Sequence, residues 1–391
     1  MDARPIDDDA AWEELRGQWE LREGTVYLNH GSFGPPPIAV QQARRSWQAE
    51  LDAQPMDFFV RQLEGHLLNA RRRLAEFVGT TAENLILADN ATYGMNIVAE
   101  SIPLSVGDEV VLTDHEYGAV LRVWERACSR TGATLRIVEL PKRFESPEQV
   151  VATIATALTD KTKLLVVSHI TSPTAITLPV KEMCDRARAR DVAVCIDGPH
   201  AVAQLPLDID ALDCDFYCAS CHKWLCAPLG TGFLYVDPRR QADVVPPILS
   251  WGKLDTEEGP QSWVDEFGWL GTRDPSGLLT IPTAIEFLEG IGLDAFRART
   301  HHLAQYARAR LVDLTGLEPT VPADQGWFTS MAHVPLPDGE ARPLQKALWE
   351  HHGIEVPIIE FSNRRWIRVS CHLYTTKCDI DKLVAALRQL V

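Results

Sequence analysis

Apolar and polar positions change rhythm three times along the chain, and each rhythm predicts a kind of element. Trp12, Leu15 and Trp19 follow an Asp-rich start at helical spacing and predict a short amphipathic helix over residues 8–20. The run YLNHGSFGPPP, with two glycines and three prolines, breaks that pattern as a rigid loop. Two helical stretches follow, at about 38–52 and 57–78. Short continuous apolar runs then take over: NLILAD, EVVLTD, TLRIVEL, KLLVVSHI, VAVCID, DFYCAS and TGFLYV. Amphipathic helical stretches such as 117–131, 147–158 and 179–190 separate most of them. A strand that is apolar throughout is covered on both faces, so these runs predict an α/β fold with a mostly parallel sheet flanked by helices.

From about residue 275 the rhythm changes again. Long helices at 275–290 and 294–314 precede strand-like runs MAHVPL, GIEVPII and WIRVSC, and a closing helix starts at about 379. This predicts a separate, smaller α+β C-terminal domain. The expected organisation is a large α/β domain over 31–275 and the smaller domain over 276–391, with residues 1–30 as an N-terminal segment packing on the latter. There is no internal repeat and no low-complexity segment.

Charge narrows the class of partner. Across 391 residues, 54 acidic side chains outnumber 38 basic ones, a formal charge of −16 that argues against nucleic acid or an anionic membrane. The densest basic cluster, ARRRLAEF, falls on a helical pattern and reads as a solvated face. No apolar run reaches the roughly 18 residues a membrane span needs. The acidic N-terminus lacks the layout of a signal peptide, so a cytoplasmic protein is expected. Nine irregularly spaced cysteines fit free thiols in a reducing compartment.

In open α/β sheets ligands bind beyond the carboxyl ends of the strands, and three of those ends carry unusual polar residues. After NLILAD, Asn90, Ala91 and Thr92 open a helix whose free N–H groups and hydroxyl suit a phosphate, although an ordinary cap reads the same way. Asp197 ends the apolar strand of VAVCIDGPHA, where a carboxylate is costly without a cation or donors, and His200 follows three residues on. The third end, FYCASCHKWLC, places Lys223 beside the Cys218/Cys221 pair and admits three readings: metal knuckle, redox dithiol or catalytic lysine. A zinc site needs two converging turns, whereas these cysteines lie along one strand and its exit, so packing is the better reading and no metal is expected. A buried lysine loses proton affinity and becomes a usable nucleophile and base that forms imines with aldehydes. The imine lysine, a carboxylate 26 residues before it and a phosphate-ready helix together describe pyridoxal 5'-phosphate.

The run Asp197–x–x–His200, the run Ser220–x–His222–Lys223 and PLGTGFLYV resemble the class V aminotransferase family of fold-type-I pyridoxal-phosphate enzymes. With YLNHGSFG, DHEYGA, SHITSPTA and HKWLCAPLGTGFLY the chain is most similar to its isopenicillin N epimerase branch, over nearly its whole length. The resemblance implies an imine at Lys223, Asp197 facing the ring nitrogen and His200 bonded to the ring hydroxyl oxygen. It implies Ala91, Thr92, Ser220 and His222 around the phosphate, with Gly271 and Thr272 reaching in from a second subunit of a homodimer. Tyr117 would stack on the ring, with His115 competing for that place. Ser172 falls where relatives have asparagine and contact the ring hydroxyl. Asn29 and Arg368 would bind the substrate carboxylate, and Arg273 would sense a distal group or form an interface ion pair.

The expected enzyme works at the α-carbon of an amino acid as an epimerase or racemase, with His30 and Tyr117 as candidates for the second acid. A C–S β-lyase acting on an S-substituted cysteine or its sulfoxide is the alternative, followed by a class V aminotransferase and, last, a non-catalytic binding module. The family's desulfurases carry a nucleophilic cysteine before the C-terminal arginine. HGIEVPIIEFSNRRWIRVS contains none, and Cys371 lies after Arg368.

Overall fold

The computed structural model describes residues 4–252, 262–324 and 326–391; the first three residues of the expected N-terminal segment, 253–261 of the expected large domain and Gln325 lie outside the described residues. All seven apolar runs form strands: β1 (Leu85–Ala88), β2 (Glu109–Thr113), β3 (Thr134–Val138), β4 (Thr162–Ser168), β5 (Ala193–Asp197), β6 (Phe216–Ser220) and β7 (Gly232–Val236). Their order across one sheet is β1–β7–β6–β5–β4–β2–β3. The sheet is parallel except for β7, which runs antiparallel to its neighbours β1 and β6.

Continuous apolarity has the physical cause expected of it. Alternate residues feed two separate cores, with Val110, Leu164, Cys195 and Phe216 on one face and Val111, Leu165, Val194 and Tyr217 on the other. The central strands β5 and β6 are buried at every position, whereas the edge strand β3 is largely exposed. Asp197 and Ser220 are the last residues of adjacent strands, so both arrive at the same edge of the sheet.

The second sheet is antiparallel, in the order β9 (Ile358–Phe361), β10 (Arg364–Ser370) and β8 (Met331–Pro335). Ser362 and Asn363 join β9 to β10 with φ of 48° and 56°, the left-handed pair that a tight two-residue hairpin requires. The run GIEVPII, expected as one strand, is split at Pro357, which has no N–H to give a ladder. Its first part, Ile354–Glu355, pairs in parallel with Val26–Tyr27 and ties the N-terminal segment to this region.

Helix boundaries shift for local reasons. The expected 8–20 helix is a 3-10 turn, Asp9–Trp12, and one α-turn, Glu13–Arg16, while Trp12 and Trp19 are buried as an amphipathic face demands. The closing helix is Lys377–Leu390, starting earlier than expected because Thr376 and Asp379 form a capping box. Among the described residues no helix is long and apolar enough to cross a membrane.

Candidate active site

Lys223 lies in the turn that leaves β6, and that turn is held from two sides. Its carbonyl accepts the N–H of Cys226 at 3.0 Å and lies 3.1 Å from His30 Nε2. A carbonyl only accepts, so His30 Nε2 carries the proton and His30 Nδ1 accepts from the Tyr374 hydroxyl at 2.8 Å. Gly34 closes the loop over this contact: a Cβ there would sit 2.6 Å from His30 Nε2 and 2.7 Å from the Lys223 carbonyl. Burial pushes His30 down to about 3, so the ring is neutral. With both nitrogens engaged, His30 holds the lysine turn, and action as an acid would require releasing one of these bonds.

The lysine amine meets His200, with Nζ 3.2 Å from His200 Nε2. On the other side of that ring the Trp224 indole N–H donates to His200 Nδ1 at 3.1 Å. An indole only donates, so Nδ1 is bare; burial holds the ring neutral, which leaves the proton on Nε2, pointing at Lys223. Above a pH of about 8, where Lys223 has lost its proton, Nζ accepts it as a neutral amine. Burial first, and the Arg368 charge second, lower Lys223 to about 8 against the opposing pull of Asp197. Burial lifts Asp197 to about 6, with Lys223 opposing. Next to this pair Glu116 accepts the Thr113 and Ser168 hydroxyls, each at 2.6 Å, and burial raises it to about 7.

The helix Ala91–Ser101 begins over Gly232, the first residue of β7. Asn90 caps it through the Tyr93 N–H at 2.9 Å, and the Ala91 N–H donates to Ser220 Oγ at 3.0 Å. Gly232 makes the close approach possible, since a Cβ would lie 2.5 Å from the Ala219 carbonyl and 2.8 Å from Asn90 Cα. Thr92 is exposed in the first turn, and His222 Nδ1 is buried with no hydrogen-bond partner among the described residues. A neutral amine, a buried carboxylate in want of a cation, a helix N-terminus and an unpartnered imidazole nitrogen form a donor set that fits pyridoxal phosphate. Gly271 has φ 105° and Thr272 is exposed, while Arg273 is engaged by Asp89 of its own chain. A substrate contact from Arg273 would have to displace that ion pair.

A third wall comes from the second sheet. Arg368, buried on β10, donates to the Ser172 carbonyl and to Ser32 Oγ at 3.1 Å, while its Nε is buried and unpartnered among the described residues. Burial brings it to about 10, so it stays charged at neutral pH. Asn29 donates to Glu355 at 3.0 Å and keeps Oδ1 unpartnered. Tyr117 is 49% exposed just before the helix Gly118–Thr131. His115 is buried, bonded through Nδ1 to Thr174 Oγ1 at 2.7 Å and edge-on to Phe144 and Phe361.

The cysteines are all free, and Cys218 and Cys221 are buried. Among the described residues one group has metal-ligand spacing, His30, Cys226 and His372. The two rings stack 3.9 Å apart at 13°, and Cys226 Sγ lies 3.8 Å from His30 Nε2 and 3.5 Å from His372 Nε2. Trp224, Ser32 and Glu116 were absent from the sequence reading. Trp224 had one available signal, its place next to Lys223; the other two become visible only through register.

The aminotransferase class-V family model matches residues 47–383. Isopenicillin N epimerases of Amycolatopsis lactamdurans and Streptomyces clavuligerus are each 37% identical, covering 97% of this chain and 98% of theirs. A putative L-cysteine desulfhydrase of Oryza sativa subsp. japonica is 31% identical over 97% of this chain and 86% of its own. Among solved structures, C-DES with glycine covalently linked to its PLP cofactor superimposes with a TM-score of 0.85, at 23% identity over 95% of this chain and 98% of that one. Geometry, family model and relatives agree: the chain belongs to the class V aminotransferase family of pyridoxal-phosphate enzymes.

Proposed function

We propose that this enzyme inverts the α-carbon of an amino acid, as an epimerase or racemase similar to the isopenicillin N epimerases. The observation that carries the reading is the Lys223 amine 3.2 Å from His200 Nε2, on a ring whose tautomer Trp224 fixes, with its proton affinity lowered to about 8. When bound, pyridoxal phosphate supplies a sink for negative charge at the substrate α-carbon. Asp197 gains a cationic partner at the ring nitrogen, which offsets the cost of its burial. His200 would give its Nε2 N–H to the ring hydroxyl oxygen, a contact for which Ser172 is the second candidate. Ala91, Thr92, Ser220 and His222 hold the phosphate. Arg368 and Asn29 orient the substrate carboxylate, so that Lys223 takes the α-proton from one face.

Tyr117 is assigned both the ring-stacking place and the second proton. Its exposed ring is available, whereas His115 is committed to Thr174 and its aromatic neighbours. One proton leaves and one returns, so the atoms balance. On this reading the chain works in the cytoplasm as a homodimer, with Gly271 and Thr272 completing the partner's phosphate site; Thr272 is exposed and available for that. The division at 30 and 275 is part of the same reading, supported by the separate second sheet.

Incubation of cofactor-loaded protein with amino acids in D₂O, followed by proton NMR and chiral chromatography, tests the reading. Loss of the α-proton signal with appearance of the D-isomer supports it. Pyruvate and a released thiol from S-substituted cysteines would establish the C–S lyase instead. That second reading draws on the 31% identical relative described as a putative L-cysteine desulfhydrase.

A further inference from the structure

Buried polar atoms without partners gather where ligands go, because each costs free energy until something pairs with it. Three of them here, on His222, Asn29 and Arg368, belong to residues already assigned to cofactor or substrate. Of the others, which have no such assignment, one lies opposite Arg368. His333 is buried, and neither Nδ1 nor Nε2 has a hydrogen-bond partner among the described residues.

Its place in the sheet is specific. His333 on β8 is the direct partner of Arg368 on β10, so both side chains leave the same face. That face carries Ser370 toward the Asn29 loop at one end and Trp366 at the other. The His333 ring stacks on Trp366 at 4.3 Å and 13°, on the side of Arg368 away from Ser370. Burial first, then the neighbouring His115 and Arg368, lower the proton affinity of His333. His115 in turn lies edge-on to Phe361 at 4.6 Å. Beyond the carboxylate site there is thus an aromatic wall of Trp366, Phe361 and His115 with one uncommitted imidazole in it.

We propose that His333 is a specificity-determining residue, binding an amide group on the side chain of the amino-acid substrate. A neutral imidazole presents an N–H on one side of the ring and a bare nitrogen on the other, so an amide can pair with either, through its oxygen or through its N–H. The oxygen also sits well in the field of Arg368, which repels an ammonium-bearing side chain. This subsite rests on the proposed action at an amino-acid α-carbon.

The test is a titration of holoenzyme with L-glutamine and with L-methionine, of similar length but without the amide, read from the cofactor absorption band. The wild type binds glutamine more tightly, and His333→Phe, which keeps the stack on Trp366, weakens glutamine by about tenfold while leaving methionine within about twofold. His333→Leu reads the same ratio if the phenylalanine variant does not fold. Equal affinities in the wild type, or a glutamine-to-methionine ratio unchanged in the variants, would overturn the subsite alone. A band that responds to no amino acid would overturn the underlying reading and the subsite with it.

Discussion

The wall that faces the cofactor and the wall that faces the substrate are built by opposite strategies. Asp197, His200, Ser220, His222, Lys223 and Trp224 fall within 28 residues of chain, at the ends of two adjacent parallel strands. Arg368, His333, Ser32, Ser172 and Asn29 come from across the chain and meet through sheet register and one loop carbonyl. The first wall is fixed by local geometry that repeats wherever parallel strands end. The second depends on how a separate sheet sits, and it reaches the first through the Arg368 charge that lowers Lys223.

Four experiments would break or sharpen that contrast, beginning with the largest effect. Lys223→Ala removes the proton acceptor and is expected to lower α-proton exchange by about 10⁴-fold in the D₂O assay. Arg368→Lys keeps the charge but loses the planar fork; kcat/KM should fall by about 10- to 100-fold, chiefly through KM, with cofactor absorption unchanged. If cofactor binding fell equally, the two walls would not be separable. Trp224→Phe frees the His200 tautomer, and a fall of about tenfold in kcat with a displaced pH midpoint of the cofactor band is expected. The smallest effect is one of pH. A neutral amine is the reactive form, so the rate of cofactor uptake by apoprotein should rise with pH and level off above about 8, where Lys223 titrates. A rate that went on climbing toward the usual lysine value of about 10.4 would show an amine that burial does not perturb.

The same contrast explains what could be read from the sequence. Period and apolarity identify the strands because each strand's pattern reports its own two faces, as Val110 and Val111 entering different cores illustrates. The direction of β7 was not legible, since an antiparallel strand buried on both faces has the same composition as a parallel one. Lys223 and Asp197 stand out because a charge inside an apolar run is an anomaly. His333 is flagged by no local anomaly; its meaning comes from lying opposite Arg368, and pairing register is a property of two segments. The commitment of His30 to the lysine carbonyl was hidden for the same reason.

The grip of the N-terminal segment on the lysine turn sets the order in which the enzyme can be made. His30 reaches the Lys223 carbonyl while accepting from Tyr374, and the adjoining Leu28 carbonyl accepts the N–H of Ser370. Val26 and Tyr27 pair with Ile354 and Glu355, and Asp9 receives the N–H of Lys377. Residues 9–30 therefore wait for residues more than 300 positions later before they can dock. A nascent chain can build the parallel sheet and still lack a braced lysine. A fully braced lysine turn awaits synthesis of the second sheet and of Tyr374 beyond it.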